Sequence, residues 1–460
     1  MARRVALNII GEAYSDETLG FAQQEAINNE FIPAETEGAR NAGKQRGTPG
    51  LTTFGTVGVG AWRGGIKMAG VPYVVMDTTL YSVASNGVGT SLGTIEGSGR
   101  VGIAENGIQL VVVNGTKGWV YNRNTAVFAQ ITDVDFAGAD DCFFIKQYIV
   151  FVRRGSDEFQ WSDLGDATSI GPTSFAASES ATDNHMGGLP LNGEAWFFGE
   201  ESIEVNVVTD AVGVFEVRSV IEKGLAATFA KASLDNTVYW LGNNGIVYRA
   251  QGYAAVRVSK RPIEQDIADQ DMSTAFAFAY EEAGNAYFVL TFPAGKTWVY
   301  NVATNRWHRR KSFEMSRWRA NGYIYAYNKH LIGDFANGKV WELDRGTYTE
   351  GDDPLVWERK SQYIHADGEY LRAAELELEF ETGVGLATGQ GSAPIVDMCY
   401  SDDGGRNFKT WRQGSLGAMG EYENRVRFHG LGRFRKRIFW TRISDPVKRD
   451  LIAASGKAAD

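Results

Sequence analysis

Cationic and aromatic side chains alternate in one stretch of the sequence, where they could bind phosphates or stack on bases. Trp307 to Lys311 reads Trp-His-Arg-Arg-Lys, and Arg317 to Arg319 reads Arg-Trp-Arg. Such interleaving is compatible with nucleic-acid binding. It is equally compatible with a solvated strand and turn in which Trp307 packs into a core. The sequence alone leaves both interpretations open.

The region after residue 424 is locally basic, although the chain has a formal net charge of −10. Its cations are Arg425, Arg427, Arg433, Arg435, Lys436, Arg437, Arg442, Lys448 and Arg449. Such asymmetry is typical of a surface that binds nucleic acid or an acidic protein, and a solvated surface has the same composition. Because the planar guanidinium bonds carboxylates and carbonyls in pairs, we expect Arg433, Arg435 and Arg437 to contact another protein chain.

A turn motif near the C-terminus resembles the Asp-box hairpin of sialidases and other propellers. It consists of Ser401, Asp402, Asp403, Gly404 and Gly405, and Phe408 follows as the aromatic residue. In such a turn the Asp side chain caps backbone amides and Gly supplies positive φ, so the motif predicts a structural turn. A sialidase would need several such boxes and a cluster of arginines, and only this box is visible.

The sequence offers no motif for catalysis, metal binding or nucleotide binding. The five histidines show no metal-ligand spacing, and Cys142 and Cys399 lie far apart in apolar runs. The glycines between Gly383 and Gly391 are followed by neither a helix nor the Lys-Ser or Lys-Thr pair of a phosphate loop. We therefore predict a protein that is not an enzyme, with no catalytic residues, no cofactor and no metal.

Short strands joined by Gly, Asn or Asp turns recur from Leu51 onward and predict an all-β fold. We expect hairpins at Tyr73–Val83, Ile108–Tyr121, Tyr148–Trp161, Glu194–Val205, Thr237–Tyr248, Ala286–Tyr300 and His330–Trp341. Their second strands recur every 40 to 52 residues, which is the spacing of propeller blades. Several turns contain Asn-Gly, which favours two-residue hairpins with positive φ.

We therefore predict a closed β-propeller of six or seven four-stranded blades between Leu51 and Asp344. A long β-sandwich is the alternative. The propeller should bury Tyr248, Trp298, Tyr300, Trp307 and Trp341 between blades. Pro262, with Ile263 and Ile267 on one face, predicts a short helix between two blades.

The two ends of the chain lack this period. We interpret residues 1–50 as an N-terminal arm in which Asp16 to Asn29 could hold a short helix. A polar linker near Gly351 separates the propeller (51–350) from a C-terminal domain (351–460). Longer strands, at Leu355–Ile364, Leu371–Phe380, Ile395–Tyr400, Asn407–Trp411, Asn424–Phe428 and Arg437–Ile443, predict an antiparallel β-sandwich-like domain.

No apolar run approaches the 18 residues of a membrane span, and Val5 to Ile10 is too short for a secretory signal. Two cysteines fit a reducing compartment. We expect a soluble protein that is made in the cytoplasm and does not insert into a membrane.

Several strings together resemble the packaged-DNA stabilisation protein family, the tail hub or nozzle proteins of short-tailed bacteriophages. The likeness runs from about Thr48 onward and is most specific in the C-terminal domain. The strings are Tyr239–Gly242, Gly245–Tyr248, Ile263–Glu264, Thr291–Pro293, Thr297–Asn301, Trp307–Arg310, Gly383–Gly385, Ser401–Arg406, Gly420–Tyr422, Arg425–Arg427, Leu431–Gly432 and Ile443–Pro446. Asn407-Phe408 stands where the family more often has Thr-Trp.

The resemblance implies a non-enzymatic ring of six copies in the virion tail, made in the bacterial host cytoplasm. Such a nozzle lies below the portal and the adaptor protein, extends the channel for genomic DNA and retains the packaged genome. It implies docking of a tail fibre or tailspike and, in some phages, of a needle or plug protein. Arg433, Arg435 and Arg437 are then expected at the subunit or adaptor interface.

A strand with four glutamates gives an expectation for the channel. Alternation places Glu375, Glu377, Glu379 and Glu381 on one sheet face and leucines on the other. Four like charges on one strand face repel one another, so that face must be solvated or must contact cations. In a sixfold ring they could line the lumen and repel DNA phosphates; a solvated outer face and pairing with the C-terminal arginines are the alternatives.

Two other functions compete with the tail protein. A carbohydrate-active propeller, sialidase-like or lectin, would need Arg and Glu or Asp clustered at one propeller mouth. A kelch-type interaction module offers no place for the C-terminal strings.

Overall fold

The structure is a computed structural model that describes residues 4–19, 21–36, 41–178, 183–209, 214–365 and 368–458. Seven four-stranded antiparallel units, called blades 1 to 7, lie between residues 50 and 344. The strands of blades 1 to 4 are Trp62–Met68, Val71–Met76, Thr79–Val83 and Gly89–Thr94; Gly102–Glu105, Gln109–Val113, Gly118–Asn122 and Val127–Gln130; Asp141–Ile145, Tyr148–Val152, Glu158–Trp161 and Phe175–Ala177; and His185–Leu191, Glu194–Gly199, Ile203–Val208 and Phe215–Ile221.

Blades 5 to 7 complete the propeller. Their strands are Lys231–Leu234, Thr237–Leu241, Val247–Gln251 and Ala254–Arg257; Phe276–Glu282, Asn285–Thr291, Thr297–Asn301 and Arg306–Arg310; and Ala320–Ala326, Lys329–Asp334, Lys339–Asp344 and Gly50–Thr56. The seven predicted hairpins are the second and third strands of the seven blades, so the propeller prediction is confirmed, with seven blades. The five aromatic residues expected between blades are all buried.

The ring closes within one chain. First strands of neighbouring blades pack on one another from blade 1 to blade 4 and from blade 5 to blade 7, and the first strand of blade 7 packs on that of blade 1. Blades 4 and 5 share a hydrophobic core. Gly50–Thr56, called here the closing strand, comes from the other end of the propeller sequence and pairs antiparallel with Lys339–Asp344, with Leu51 opposite Leu343. Blade 7 is thus built from both ends of the propeller, and this pairing joins those ends.

The two-residue turns with positive φ connect the first and second strands of blades. They include Asn192-Gly193, Asp235-Asn236 and Tyr327-Asn328. The Asn-Gly pairs used as hairpin signals lie instead in longer turns between second and third strands. There only the Gly has positive φ, as in Gly245, while the Asn244 side chain accepts a hydrogen bond from the Ile246 amide. Those Asn residues thus cap longer loops, which explains the difference from the expected turn type.

One α-helix, Arg261–Ala268, lies between blades 5 and 6, as predicted. It has Pro262 in its first turn and buries Ile263 and Ile267. A short 3-10 helix, Met272–Thr274, follows. No helix in the described ranges is long and apolar enough to cross a membrane.

The C-terminal domain is a sandwich of two sheets. The first sheet contains, in order, Asn29–Pro33, Gly43–Gly47, Leu451–Ala458, Leu371–Phe380 and Val426–Phe434, and Arg4–Ala6 also pairs with Leu451–Ala458. The second contains Gln23–Ile27, Trp357–Lys360, Lys436–Ile443, Ile395–Ser401 and Arg412–Ser415, with Tyr14–Ser15 and Ile364–His365 at its sides. Two short strands, Thr349–Glu350 and Asp353–Pro354, extend blade 7 beside the closing strand.

The N-terminal segment differs from the expectation of an arm with a helix. Its strands pair with C-terminal strands in both sheets, and Gln23–Ile27 lies where the helix was expected. The reason is that partners more than 300 residues away satisfy its backbone, which a local pattern does not reveal. The propeller is therefore inserted into the sandwich, between Gly47 and Trp357. The boundaries placed at residues 50 and 350 stay predictions.

The two domains share a sheet. Ile27 of the sandwich pairs in parallel with Arg309 of blade 6, so blade 6 continues into the second sheet of the sandwich. The chain also crosses between the domains twice, before the closing strand and after blade 7. These connections tie the propeller and the sandwich together at one junction.

Candidate interaction surfaces

Most of the stretch that could have bound phosphate lies inside the protein, and only Arg309 and Lys311 are partly exposed. Trp307 and Arg310 are 0% exposed. The Arg310 guanidinium lies 3.7 Å from the centroid of the Trp318 ring, and its Nη2 donates to the carbonyl oxygen of Pro49 at 2.8 Å. Trp307 thus packs in a core, as one interpretation had it, but Arg310 is buried rather than solvated. A buried guanidinium cannot reach a phosphate outside the protein.

Carboxylates balance these buried cations. Arg319 Nε lies 3.1 Å from Asp334 Oδ2, and Arg310 Nη2 lies 3.8 Å from Glu350 Oε1. Trp318 Nε1 donates to Glu350 Oε1 at 2.9 Å. We call Arg310, Trp318, Arg319, Asp334 and Glu350 the junction cluster. Buried charges persist only when paired, so each member depends on the others.

A second buried network anchors the N-terminal segment to blade 6. The Glu30 carboxylate accepts hydrogen bonds from Arg46 Nη2 at 2.8 Å, from the Tyr287 hydroxyl at 3.0 Å and from Asn301 Nδ2 at 3.0 Å. His308 lies in the same interior, and burial lowers its pKa to about 4 although the charge of Glu30 acts in the opposite direction. The propeller is thereby fixed to a strand of the sandwich.

The glutamate strand, Leu371–Phe380, alternates between the two faces of its sheet. Leu376 and Leu378 are buried in the sandwich core, and Glu375 and Glu377 lie on the other face. The alternation follows from the two-residue period of a strand. It places the first two predicted channel glutamates side by side.

Glu375 and Glu377 contact cations of the same chain. Arg4, from the N-terminal strand, forms ion pairs with both carboxylates. Arg427, on the neighbouring strand, has its Nε 2.9 Å from Glu377 Oε2. Arg427 lies on the strand next to the glutamate strand, and Arg4 reaches across from a strand that pairs with Leu451–Ala458, so this face carries both signs of charge.

The other two glutamates lie at the end of that strand. Glu379 is half-buried and faces Ala453 in the register of the sheet. Glu381 follows the strand, and Lys448 Nζ lies 2.6 Å from its carboxylate. The role of the four glutamates as a channel wall stays a prediction.

Arg433 and Arg435 lie where the chain passes from Val426–Phe434 in the first sheet of the sandwich to Lys436–Ile443 in the second. Their guanidinium carbons lie 3.8 Å and 4.4 Å from the ring centroid of Tyr370, which is 48% exposed. Among the described residues, no carboxylate forms an ion pair with either of them. We call Tyr370, Arg433 and Arg435 the arginine tip. Tyr370 carries no sequence signal that would have found it.

Arg437 occupies a different environment. It is 1% exposed, and its Nε and Nη2 donate to Asp402 at 2.6 Å and 2.8 Å. Its Nη1 donates to the carbonyl oxygen of Leu431. All of its nitrogens are thus used inside the chain, so the interface prediction rests on Arg433 and Arg435.

The motif that supplies Asp402 forms a tight turn. The Asp403 carboxylate accepts hydrogen bonds from the Asn407 amide at 2.9 Å and from the Ser401 hydroxyl at 2.7 Å. These bonds, above all the one from the Asn407 backbone, hold the pKa of Asp403 well below its ordinary value. Gly404 and Gly405 adopt positive φ. Asp403 therefore stabilises the turn, and its neighbour Asp402 binds Arg437.

Clusters for metal or thiol chemistry are not found in the part of the chain that the structure describes. No group of three or more His, Cys, Asp and Glu residues there could hold a metal ion. Cys142 and Cys399 are buried in different domains. Burial raises the pKa of Cys399 to about 12, which keeps it a thiol.

The chain matches two family models that together span both domains. Residues 4–348 match the model described as bacteriophage P22 Gp10, beta-propeller, and residues 356–458 match bacteriophage P22 Gp10, beta-sandwich. No curated protein matches the chain. The two matches agree with the seven-bladed ring and with the sandwich into which it is inserted. The chain therefore belongs to the bacteriophage P22 Gp10 family of packaged-DNA stabilisation proteins, which are structural proteins of the phage tail.

Proposed function

We propose that six copies of the chain form a ring that serves as the tail nozzle below the portal and adaptor. The ring extends the channel for DNA and retains the packaged genome. The observation that carries this proposal is the presence of both family domains, joined by one continuous sheet and a buried network. A nozzle needs subunits that transmit force without bending, and a propeller fixed to its sandwich meets that need.

The arginine tip supplies the proposed contact with a neighbouring subunit or with the adaptor. A ring of identical copies uses a head-to-tail interface, in which one surface meets a different surface on the next copy. Arg433 and Arg435 present two weakly hydrated guanidinium groups that suit carboxylates in such an interface. The overall net charge of −10 means that acidic surface is available on the next copy.

The glutamate strand supplies the proposed channel wall. Carboxylates there repel DNA phosphates and let the genome slide. The ion pairs of Glu375 and Glu377 with Arg4 and Arg427 reduce that repulsion, so the wall would carry mixed charge. A tail fibre or tailspike and, where present, a needle or plug protein would dock on surfaces outside this wall. The site of synthesis that we propose is the host cytoplasm.

The carbohydrate-active alternative comprises a sialidase-like enzyme and a lectin. A sialidase would hold its substrate carboxylate with arginines. A depression lies at one mouth of the propeller, between the turns that join the first and second strands of blades 4, 5 and 6, and the described residues that line it include no arginine. We propose no enzymatic activity. The lack of arginine does not count against a lectin, which binds sugars without catalysis.

Negative-stain imaging of the purified chain tests the nozzle proposal. We expect ring-shaped particles with sixfold symmetry and a central opening. Monodisperse single chains with a native circular-dichroism spectrum, at every concentration up to that of an assembling virion, would contradict it.

A further inference from the structure

A wide depression lies at one mouth of the propeller. The turns between first and second strands of blades 4, 5 and 6 surround it, together with the first strand of blade 7. Its volume is about 970 Å³, which is large enough for an extended small molecule or part of a chain molecule. The residues that contribute to it are all among those that the structure describes.

Four polar side chains around the depression make no side-chain hydrogen bond to another residue that the structure describes. Asn192 lies on the turn of blade 4, Asp235 and Asn236 on that of blade 5, and Glu281 at the end of the first strand of blade 6. All four are exposed. Their donors and acceptors are therefore free for a ligand.

An aromatic wall faces these groups from blade 7. Tyr325 is 42% exposed, and its hydroxyl donates to Asn328 at 2.6 Å, so the ring is held in place. Tyr323 and His330 stack on each other beside it, with the tyrosine oxygen 2.9 Å from the imidazole Nδ1. Lys67 of blade 1 lies 5.9 Å from the centroid of the Tyr325 ring. The depression thus combines a fixed ring with free polar groups.

The charge of the lining restricts the class of ligand. Among the described residues that line it, none is Lys or Arg, and Glu282 is paired with Arg345 behind the wall. Asp235 and Glu281 keep unpaired carboxylates. An anionic ligand such as nucleic acid or a sialylated sugar would be repelled, so the ligand is neutral or cationic.

We propose that this depression binds a neutral glycan. Sugar hydroxyls both donate and accept hydrogen bonds, and the site offers carboxylates that accept and the amides of Asn192 and Asn236 that do both. The apolar face of a pyranose ring would pack on Tyr325. A lysine side chain carries donors only, so a cationic peptide could accept from the amide groups of Asn192 and Asn236 only through its backbone carbonyls, whereas every sugar hydroxyl can accept from them, which favours the glycan.

The test uses the full-length chain on an array of neutral oligosaccharides, with sialylated oligosaccharides and an oligolysine peptide as competing probes. We expect binding to neutral sugars only. Tyr325→Ala should weaken that binding about tenfold, which corresponds to the loss of about 1.4 kcal/mol of contact with the ring. Tyr325→Phe, which keeps the ring, should bind like the parent chain.

Matched controls separate the site from general damage. Tyr253 is exposed to a similar extent and also donates its hydroxyl, to Glu194, but lies outside the depression. Tyr253→Ala should leave sugar binding unchanged. The double variant Asp235→Asn, Glu281→Gln should lower sugar binding only a few-fold, since amides still bond hydroxyls.

Three results would overturn the proposal. They are absence of neutral-sugar binding by the parent chain, equal binding by Tyr325→Ala and the parent chain, and binding of oligolysine alone that the double amide variant abolishes. The last result would assign the depression to a basic protein segment. None of them bears on whether the chain forms a ring.

Discussion

The junction cluster and the arginine tip each contain an arginine stacked on an aromatic ring, but the first pair lies in the interior and the second on the surface. Arg310 stacks on Trp318 at 3.7 Å, and Arg433 stacks on Tyr370 at 3.8 Å. The stacking geometry is nearly the same, but only the junction arginine is buried and shares its surroundings with a carboxylate. The comparison teaches that burial and the acidic partner decide the role of an arginine, and that the neighbouring aromatic residue does not.

The largest expected difference between the two regions is the loss of stability caused by the same Arg→Met substitution. Arg310→Met takes away the cation that acts most strongly on the buried Glu350 and should lower the free energy of unfolding by about 3 kcal/mol. Arg433→Met removes an exposed group and should change it by less than about 0.5 kcal/mol. Urea unfolding followed by tryptophan fluorescence measures both. Equal effects of the two substitutions would show that the comparison is wrong.

The buried network of Glu30 and His308, which also joins the sandwich to blade 6, should respond to acid. Burial lowers the pKa of His308 to about 4, whereas a histidine in an unfolded chain titrates near about 6.5. The unfolded chain therefore binds a proton first as the pH falls. The free energy of unfolding should decrease between pH values of about 6.5 and 4, by about 3 kcal/mol from this group.

One variant isolates this contribution from that of the acidic residues. His308→Phe should flatten the dependence on pH relative to the parent chain, measured as denaturation midpoints at several pH values. Parallel curves for the parent chain and His308→Phe would mean that His308 is not held neutral by the fold.

Arg437 tests whether an arginine only two residues after Arg435 of the arginine tip belongs to the core. Arg437→Met removes two charge-assisted bonds to Asp402 and should cost about 2 kcal/mol of stability. Arg435→Met, at the exposed tip, should cost almost nothing. If Arg437→Met left the urea midpoint unchanged, Arg437 would have to be returned to the predicted interface.

The smallest effect is expected on the glutamate strand. Glu377→Gln weakens ion pairs with Arg4 and Arg427 that are partly open to water, so the loss of stability should not exceed about 1 kcal/mol. The measurement is the same urea midpoint, repeated at high salt, where the difference should shrink. A loss of several kcal/mol would show that these pairs are structural and would leave little reason for a channel role.

Much of the propeller could be predicted because its signals are local. Each blade carries its own hairpin within about 15 residues, and the helix at Arg261–Ala268 shows both its Pro and its apolar face in sequence. The N-terminal strands gave no such signal because their partners lie beyond the propeller. The strand Leu451–Ala458 was missed since its small residues lack a strong period, and Arg412–Ser415 lies just after the predicted Asn407–Trp411.

The candidate surfaces could be predicted from the sequence only within strands, where the two-residue period determines the sheet face on which each side chain lies. Alternation correctly assigned the leucines and glutamates of the glutamate strand to opposite faces. It could not tell that Arg4 would reach them, since that contact joins the two ends of the chain. Nor could composition distinguish buried Arg310 and Arg437 from exposed Arg433, because their carboxylate partners come from distant segments.

The central claim is that the chain assembles into a ring of six through the arginine tip. Mass photometry of the parent chain and of the double variant Arg433→Glu, Arg435→Glu tests it most directly, with Arg153→Glu, Arg154→Glu as a control on exposed arginines of blade 3. We predict six-chain particles for the parent and the control at physiological salt, and single folded chains for the tip variant. Six-chain particles from the tip variant, or none from the parent, would contradict the account.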